Sequence, residues 1–344
     1  MYPASVMSAP PSHPRITAVS PLAAVAGGVV TIRGPGIGVV AESSAGVRIG
    51  GLVARVVYAD RNSIACLVPN GLEGGAAAIR LETAPGETAF VEIGVPVATG
   101  VHQVDSPAFG DDGTLYLTYS GARGDQSPVS IFRLGQDGFC EPFVVGIMNP
   151  TSLAWAPSGR LFVSSRFDGA VFAIDGEGQM EQVAKDLGVS CGLAFSPEGT
   201  LYVGDRSGTI FKVSLSGEVS SFATLPPSVA AFHLAMAPTG SLFVTAPTLS
   251  TRDGVHRVDP DGRVTTVTRR FGRPQGLAFD MHGTLHVAEA LAGASGLHRV
   301  REDGATELVV TAPGLVGVAF DRSGAAVLVS DDTAYRFGKL PSSG

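Results

Sequence analysis

Residues 191–205 read CGLAFSPEGTLYVGD: an apolar run, a turn with Pro, Glu and Gly, a second apolar run, and an acid. The same frame, Ala followed by a large apolar residue and a Gly four positions later, occurs six times along the chain. The six glycines are Gly113, Gly159, Gly199, Gly240, Gly283 and Gly324, separated by 46, 40, 41, 43 and 41 residues. Self-similarity at a period of about 40 to 50 residues indicates one supersecondary unit that is stacked repeatedly.

Each repeat contains short segments that alternate apolar and polar residues, such as GTLYVGD and TIFKVSL, separated by turn sequences such as SPEG and APSG. No segment of helical length intervenes. Four short antiparallel strands per repeat predict an all-β fold, a six-bladed β-propeller over residues 95–338. The sixth repeat has only three strands before the tail at residues 339–344, so we expect a strand near residues 95–98 to complete the last blade and remove its open edge.

The segment 14–94 lacks the repeat and contains short alternating strands, which predict a small β-sandwich. Its sequences PRITAVSP, GGVVTIRGPGI, VRIGG and LVPNG resemble the IPT/TIG family of immunoglobulin-like domains. The resemblance covers nearly the whole segment and implies an Ig-like fold. Residues 1–13 are interpreted as a flexible leader.

Composition excludes several classes of protein. The net charge is −7, and the sequence has no basic stripe, so we expect no nucleic-acid partner. No window approaches the roughly 20 apolar residues of a membrane span. The first residues, MYPASVMSAPPSHPR, show no charged region followed by an apolar core, so no secretory signal is predicted and a cytoplasmic location is the default expectation.

The mouth of the central channel is the usual functional surface of a propeller, where the first strand of each blade contributes one residue to a ring. Counting back four positions from the large apolar residue of each repeat gives these equivalent positions. The predicted ring is Asp105, Thr151, Cys191, Phe232, Gln275 and Val316. His233 lies beside this ring and has two interpretations, a general base or a hydrogen-bonded structural histidine.

The repeats resemble the NHL and SMP-30/gluconolactonase-like propellers, whose blades share the frame seen here as QGLAFD at residues 275–280 followed by Gly283 and LHVAE at residues 285–289. The resemblance covers residues 95–338. It implies a channel-mouth divalent cation, such as Ca²⁺, Mn²⁺ or Zn²⁺, held by carboxylate and amide oxygens. Hard cations of this kind take six or more oxygen ligands.

The residues that this family would use as ligands are only partly present. Asp105 keeps the acid of the first blade, but the family's NGL is Cys191-Gly192-Leu193 and its PDG is Pro274-Gln275-Gly276. The candidate metal ligands are therefore Asp105, Asn149 and Gln275. One carboxylate with neutral oxygens predicts weak metal binding at most.

Charged residues at the ends of the second strands form another equivalent set. Asp205 and Glu289 stand where the family frame has an acid that can accept backbone N–H groups of a loop. Arg166 and Arg206 follow the same strand in neighbouring blades. They are interpreted either as two exposed arginines without a common target or as a pair that bridges an anionic ligand.

Two functions fit the sequence. The first is a binding or interaction protein that uses the channel face or rim to hold a small molecule, a glycan or a protein, without family-type catalysis. The alternative is a metal-dependent hydrolase of a lactone or sugar-acid derivative, as the SMP-30/gluconolactonase resemblance implies.

Overall fold

β-Strands are the only regular secondary structure in the described residues, which are 14–38, 46–214, 216–291 and 293–341 of the computed structural model. The predicted all-β fold is confirmed. These residues accordingly contain no helix long and apolar enough to cross a membrane. The predicted leader at 1–13 and the last residues of the predicted tail, 342–344, lie outside the described residues. The chain divides into two compact units between Ile93 and Gly94.

The first unit consists of two β-sheets around a common core. One sheet pairs its strands in the order β1 (Ala18–Ser20), β3 (Val29–Arg33), β7 (Ser63–Leu67), β6 (Arg55–Asp60). The other has the order β2 (Ala23–Ala24), β9 (Ala84–Ile93), β8 (Gly75–Leu81), β4 (Val47–Ile49), β5 (Leu52–Val53). Alternate residues of each strand face the core, including Ile32 and Cys66 from the first sheet and Ile49 and Ile79 from the second. This is the predicted β-sandwich.

Six sets of four antiparallel strands form the second unit, and each set corresponds to one repeat. In chain order the strands are β10 (Val95–Thr99), β11 (Ala108–Phe109), β12 (Leu115–Thr118), β13 (Ile131–Leu134), β14 (Cys140–Val144), β15 (Pro150–Trp155), β16 (Leu161–Ser165), β17 (Ala170–Ile174), β18 (Met180–Ala184), β19 (Ser190–Phe195), β20 (Leu201–Asp205), β21 (Thr209–Val213), β22 (Val219–Thr224), β23 (His233–Met236), β24 (Leu242–Thr245), β25 (Asp253–Val258), β26 (Val264–Phe271), β27 (Pro274–Phe279), β28 (Leu285–Glu289), β29 (Gly296–Val300), β30 (Thr306–Thr311), β31 (Leu315–Phe320), β32 (Ala326–Ser330) and β33 (Thr333–Phe337). Blades 1 to 5 begin with β11, β15, β19, β23 and β27, and each takes the three strands that follow.

Blade 6 contains the last three strands and β10, which pairs antiparallel with β33. The first strand of this sheet is β31 and its outer strand is β10. Buried residues of β10 and β32, such as Ala98 and Val329, share one core cluster with Leu115 and Leu117 of blade 1. The two ends of the propeller sequence are therefore joined by strand pairing and by apolar packing.

Aromatic contacts between neighbouring blades explain the large apolar residue of the repeat. In several blades this residue packs against a ring on the second strand of the preceding blade. The pairs are Tyr116 with Trp155 at 5.4 Å, Phe162 with Phe195 at 4.9 Å, Phe243 with Phe279 at 5.1 Å and His286 with Phe320 at 4.9 Å between ring centroids. Such pairs contribute about 0.5–1.5 kcal/mol each beyond their buried area. His286 is thus an interblade packing residue, and its burial lowers its pKa to about 4.

The first strands of neighbouring blades lie very close together. In most blades, only a small residue fits at the position directly after the channel-ring residue. A Cβ atom on Gly192 would lie 2.2 Å from the carbonyl oxygen of Phe232, and one on Gly317 would lie 2.4 Å from the Cα atom of Ser106. Glycine is required at these positions by space. His233 is the large residue of this set, and its side chain reaches towards blade 1.

Candidate functional site

A cavity of about 420 Å³ lies where the first strands of the blades begin. Four of the six predicted ring residues line it: Thr151, Cys191, Gln275 and Val316. The other two ring residues, Asp105 and Phe232, are buried outside the cavity wall. We call this cavity the channel mouth. A second cavity of about 410 Å³, the opposite mouth, lies at the far ends of the same strands and is lined by Trp155, Phe195, Met236 and Phe279, among others.

Asp105 and His233 form a hydrogen-bonded pair that joins blade 1 to blade 4. His233 Nδ1 donates to Asp105 Oδ1 at 2.7 Å, and the side chains are 0% and 5% exposed for His233 and Asp105. A carboxylate can only accept, so Nδ1 carries the proton. Asp105 Oδ1 also accepts the backbone N–H of Ser106 at 2.7 Å. The candidate metal ligand is therefore bonded to the candidate general base, from a position 128 residues away in sequence.

Asn149 uses its side chain to hold the loop after β12. Its Oδ1 accepts the N–H of Gly124 at 2.8 Å, and its Nδ2 donates to the carbonyl oxygens of Ser120 at 2.6 Å and Ala122 at 2.8 Å. Asn149 is buried and has a positive φ of 46°. Its amide is therefore occupied by backbone groups, a structural role that the sequence did not reveal.

These contacts decide whether the channel mouth fits the divalent cation of the SMP-30/gluconolactonase-like propellers. Asp105 is bonded to His233, the Asn149 amide is occupied, and Gln275 alone of the three candidates lines the cavity. The described residues contain no group of three or more His, Cys, Asp or Glu side chains placed to hold a metal ion. Because a hard cation needs many oxygen ligands, the residues present do not fit a resident cation.

Cys191 lines the channel mouth as a protonated thiol. It is buried, and burial raises its pKa to about 12. The thiol donates to the carbonyl oxygen of Val189 at 3.3 Å. The thiolate is the form that attacks electrophiles and binds metals. Because Cys191 is a thiol at neutral pH, it acts neither as a nucleophile nor as a metal ligand there.

Arg166 and Arg206 lie side by side at the channel mouth and are half-buried, not freely exposed. Each guanidinium uses one Nη2 atom on a backbone carbonyl, Arg166 on Gly121 at 3.4 Å and Arg206 on Val229 at 3.2 Å. The Nε atom of each is buried and has no hydrogen-bond partner among the described residues. Arg273 also lines the cavity and is exposed. The sequence predicted that Arg166 and Arg206 occupy equivalent positions in neighbouring blades. It did not indicate that they line one cavity together with Arg273.

Two buried carboxylates hold the loops that carry Arg206 and Arg273. Asp205 accepts the N–H of Val189 at 2.8 Å and bonds the hydroxyl of Ser207. Glu289 accepts three backbone N–H groups, those of Gly272 at 2.7 Å, Arg273 at 2.8 Å and Leu291 at 2.8 Å. The predicted capping role thus includes the loop before the first strand of the blade as well as the loop after the second strand, and it fixes the backbone at the channel mouth.

Comparison with known proteins addresses the first unit directly. Residues 14–99 match the IPT/TIG domain family. This confirms the resemblance carried by PRITAVSP, GGVVTIRGPGI and the segments that follow. The matched IPT/TIG segment extends through β10, the strand that also completes blade 6. Among curated protein sequences, none matches this chain.

Solved structures confirm the propeller resemblance at the level of fold. A gluconolactonase from Xanthomonas campestris is similar with a TM-score of 0.60 at 14% identity, over 77% of this chain and 90% of that one. An auxiliary nutrient binding protein from Bacteroides thetaiotaomicron has a TM-score of 0.57 at 13% identity, over 95% and 98%. Virginiamycin B lyase from Staphylococcus aureus has a TM-score of 0.50 at 12% identity, over 70% and 86%. Function varies widely among proteins that share one fold.

Proposed function

We propose that this protein binds a small polar molecule or a glycan at the channel mouth, without family-type metal catalysis. The observation that carries the proposal is the cavity of about 420 Å³ lined by first-strand residues of four blades. Its volume lies in the usual range of small-molecule sites, about 300–1,000 Å³. Its wall combines apolar groups such as Val316 with polar groups such as Gln275 and Arg166. Such a mixture holds a ligand's body and orients its polar end.

The channel mouth is also held rigidly by the chain itself. The Asp105–His233 pair ties two blades together, and Asn149 and Glu289 fix the adjoining loops. A site that is already ordered loses less conformational freedom when a ligand binds. The nutrient-binding propeller from Bacteroides thetaiotaomicron offers a precedent for binding on this fold, though at 13% identity it gives no guide to the ligand.

A cavity-filling substitution tests this proposal. The full chain is screened by thermal shift against monosaccharides, amino acids, carboxylic acids, phosphate esters and amines, and the strongest ligand is titrated by calorimetry. We expect Ala230→Trp, which fills the channel mouth, to weaken that ligand at least tenfold. Val219→Trp on the outer strand β22 is the matched control and should bind as the parent does. No ligand in the screen, or equal affinity in Ala230→Trp, would contradict the proposal.

The alternative function, a metal-dependent hydrolase, needs a cation that Asp105, Asn149 and Gln275 would hold. Titration of Ca²⁺, Mn²⁺ and Zn²⁺ into chelator-treated protein separates the two functions. We expect no saturable binding near one equivalent, because two of these side chains are already hydrogen-bonded within the protein. Saturable binding that is lost in Gln275→Ala but kept in Gln136→Ala, an exposed-loop control, would support the hydrolase.

A further inference from the structure

The charge of the channel mouth is strongly one-sided. Three arginines line it, Arg166, Arg206 and Arg273, and the one acid in its wall is the exposed Asp331. Arg123 lies close enough to Arg166 to act on its charge. Asp105, a buried carboxylate next to lining residue Val104, is bonded to His233. The cavity thus gathers positive charge in a protein whose net charge is −7.

Most arginines elsewhere in the propeller, eight of twelve, have acidic partners. These eight form ion pairs with Asp or Glu, for example Arg133 with Glu141 at 2.5 Å and Arg160 with Glu181 at 3.1 Å. Within the described residues, the guanidinium groups of Arg166, Arg206 and Arg273 form no ion pair with a carboxylate. The arginines that the protein leaves without a counter-ion therefore include all three that line this cavity.

The cavity wall also contains buried polar atoms that have no hydrogen-bond partner in the part of the chain that the structure describes. They are the Nε atoms of Arg166 and Arg206, the Nε2 atom of Gln103 and the Nδ1 atom of His102. The two guanidinium nitrogens are donors in every protonation state that occurs in proteins. A buried donor without an acceptor costs about 1–3 kcal/mol. Acceptors are thus what the Nε atoms of Arg166 and Arg206 lack.

Repulsion between the guanidinium groups points the same way. Burial lowers the pKa of Arg166, and the nearby charges of Arg206 and Arg123 lower it further. An anion between two arginines removes this repulsion and supplies acceptors at the same time. The planar guanidinium fork matches the oxygens of a carboxylate or phosphate better than any other side chain does.

We propose that the ligand of the channel mouth is an organic anion whose carboxylate or phosphate group is bound between Arg166 and Arg206, with Arg273 at the rim. This inference rests on the proposed function and names the class of its ligand. The body of the ligand lies against Val104 and Val316, and its polar groups can form hydrogen bonds with the side chain of Gln275.

Four probes that share a phenyl ring test the charge requirement on the full chain. Benzoate and phenyl phosphate are anionic, benzamide is neutral and benzamidine is cationic. Calorimetric titration should give binding of at least one anion, at least tenfold tighter than benzamide and benzamidine, and weaker at higher salt. The two anions distinguish a carboxylate from a phosphate ligand.

Arginine variants test the location. Arg166→Gln and Arg206→Gln should each weaken the anion at least tenfold, and Arg166→Lys should recover part of the loss because it restores charge without the fork. The control is Arg160→Gln, which removes one positive charge from the blade that contains Arg166. Arg160 lies in an exposed ion pair with Glu181. The midpoint of thermal unfolding of each variant shows whether it is folded.

The outcomes separate this inference from the proposed function. If benzamide or benzamidine binds as tightly as the anions, or if neither anion binds, or if Arg166→Gln and Arg206→Gln are folded and bind like the parent, the anion inference is wrong. If uncharged ligands still bind in a manner that Ala230→Trp abolishes, the proposed function survives that failure. If no ligand of any charge binds at the channel mouth, both are wrong.

Discussion

Replacing Asp105 by Ala is expected to lower the free energy of unfolding by about 3 kcal/mol, because Asp105 accepts from two donors and each buried donor left without an acceptor costs about 1–3 kcal/mol. The variant leaves His233, which is fully buried, without an acceptor for Nδ1, and its Nε2 atom has no hydrogen-bond partner in the described residues. It also removes the link between blades 1 and 4. Chemical denaturation of the full chain measures the change.

Two comparisons make this result specific. Asp111→Ala removes an acid whose ion pair with Arg322 is exposed, and it should cost less than about 1 kcal/mol. A double-mutant cycle of Asp105→Ala and His233→Ala should give a coupling energy of at least about 1 kcal/mol, because the two residues are in direct contact. Additive losses would show that the pair contributes nothing as a pair.

Glu289→Ala is the second substitution with a large expected effect, a loss of about 3 kcal/mol or more. Glu289 is buried and accepts three backbone N–H groups, and each donor left buried without an acceptor costs about 1–3 kcal/mol. Glu289→Gln keeps one acceptor oxygen and should lose less than Glu289→Ala. Denaturant titration of both variants measures the difference.

The control for Glu289 is Glu302, an exposed acid in the same blade. Glu302→Ala should stay within about 0.5 kcal/mol of the parent, as surface substitutions usually do. If Glu289→Ala is equally mild, water replaces the carboxylate in the loop. Glu289 would then not be the residue that fixes the loop beside Arg273.

The sequence could predict the propeller because its signals are local. Each turn glycine follows the large apolar residue of its repeat by four positions, and each of these signals concerns a hairpin or the contact with the neighbouring blade. Phe195 packs on Phe162 for the same reason that Phe279 packs on Phe243. The ring positions at the first strands follow from the same repeat.

The contacts of the candidate site could not be predicted, because they join residues that no spacing relates. Asp105 and His233 are 128 residues apart and meet only when the ring is closed. Asn149 was a candidate metal ligand because amide oxygens suit hard cations, yet its amide is used by a loop 25 to 29 residues earlier. The burial of Arg166 and Arg206 likewise depends on the loops around them in the fold, so exposure remained one of two interpretations of these arginines from the sequence.

A crystal structure of the full chain soaked with phenyl phosphate tests the central claim most directly. We expect the phosphate between the guanidinium groups of Arg166 and Arg206, within hydrogen-bonding distance of both, and the phenyl ring in the channel mouth. A probe found instead in the opposite mouth, between Trp155 and Phe195, would contradict the claim, as would a channel mouth that stays empty at saturating probe.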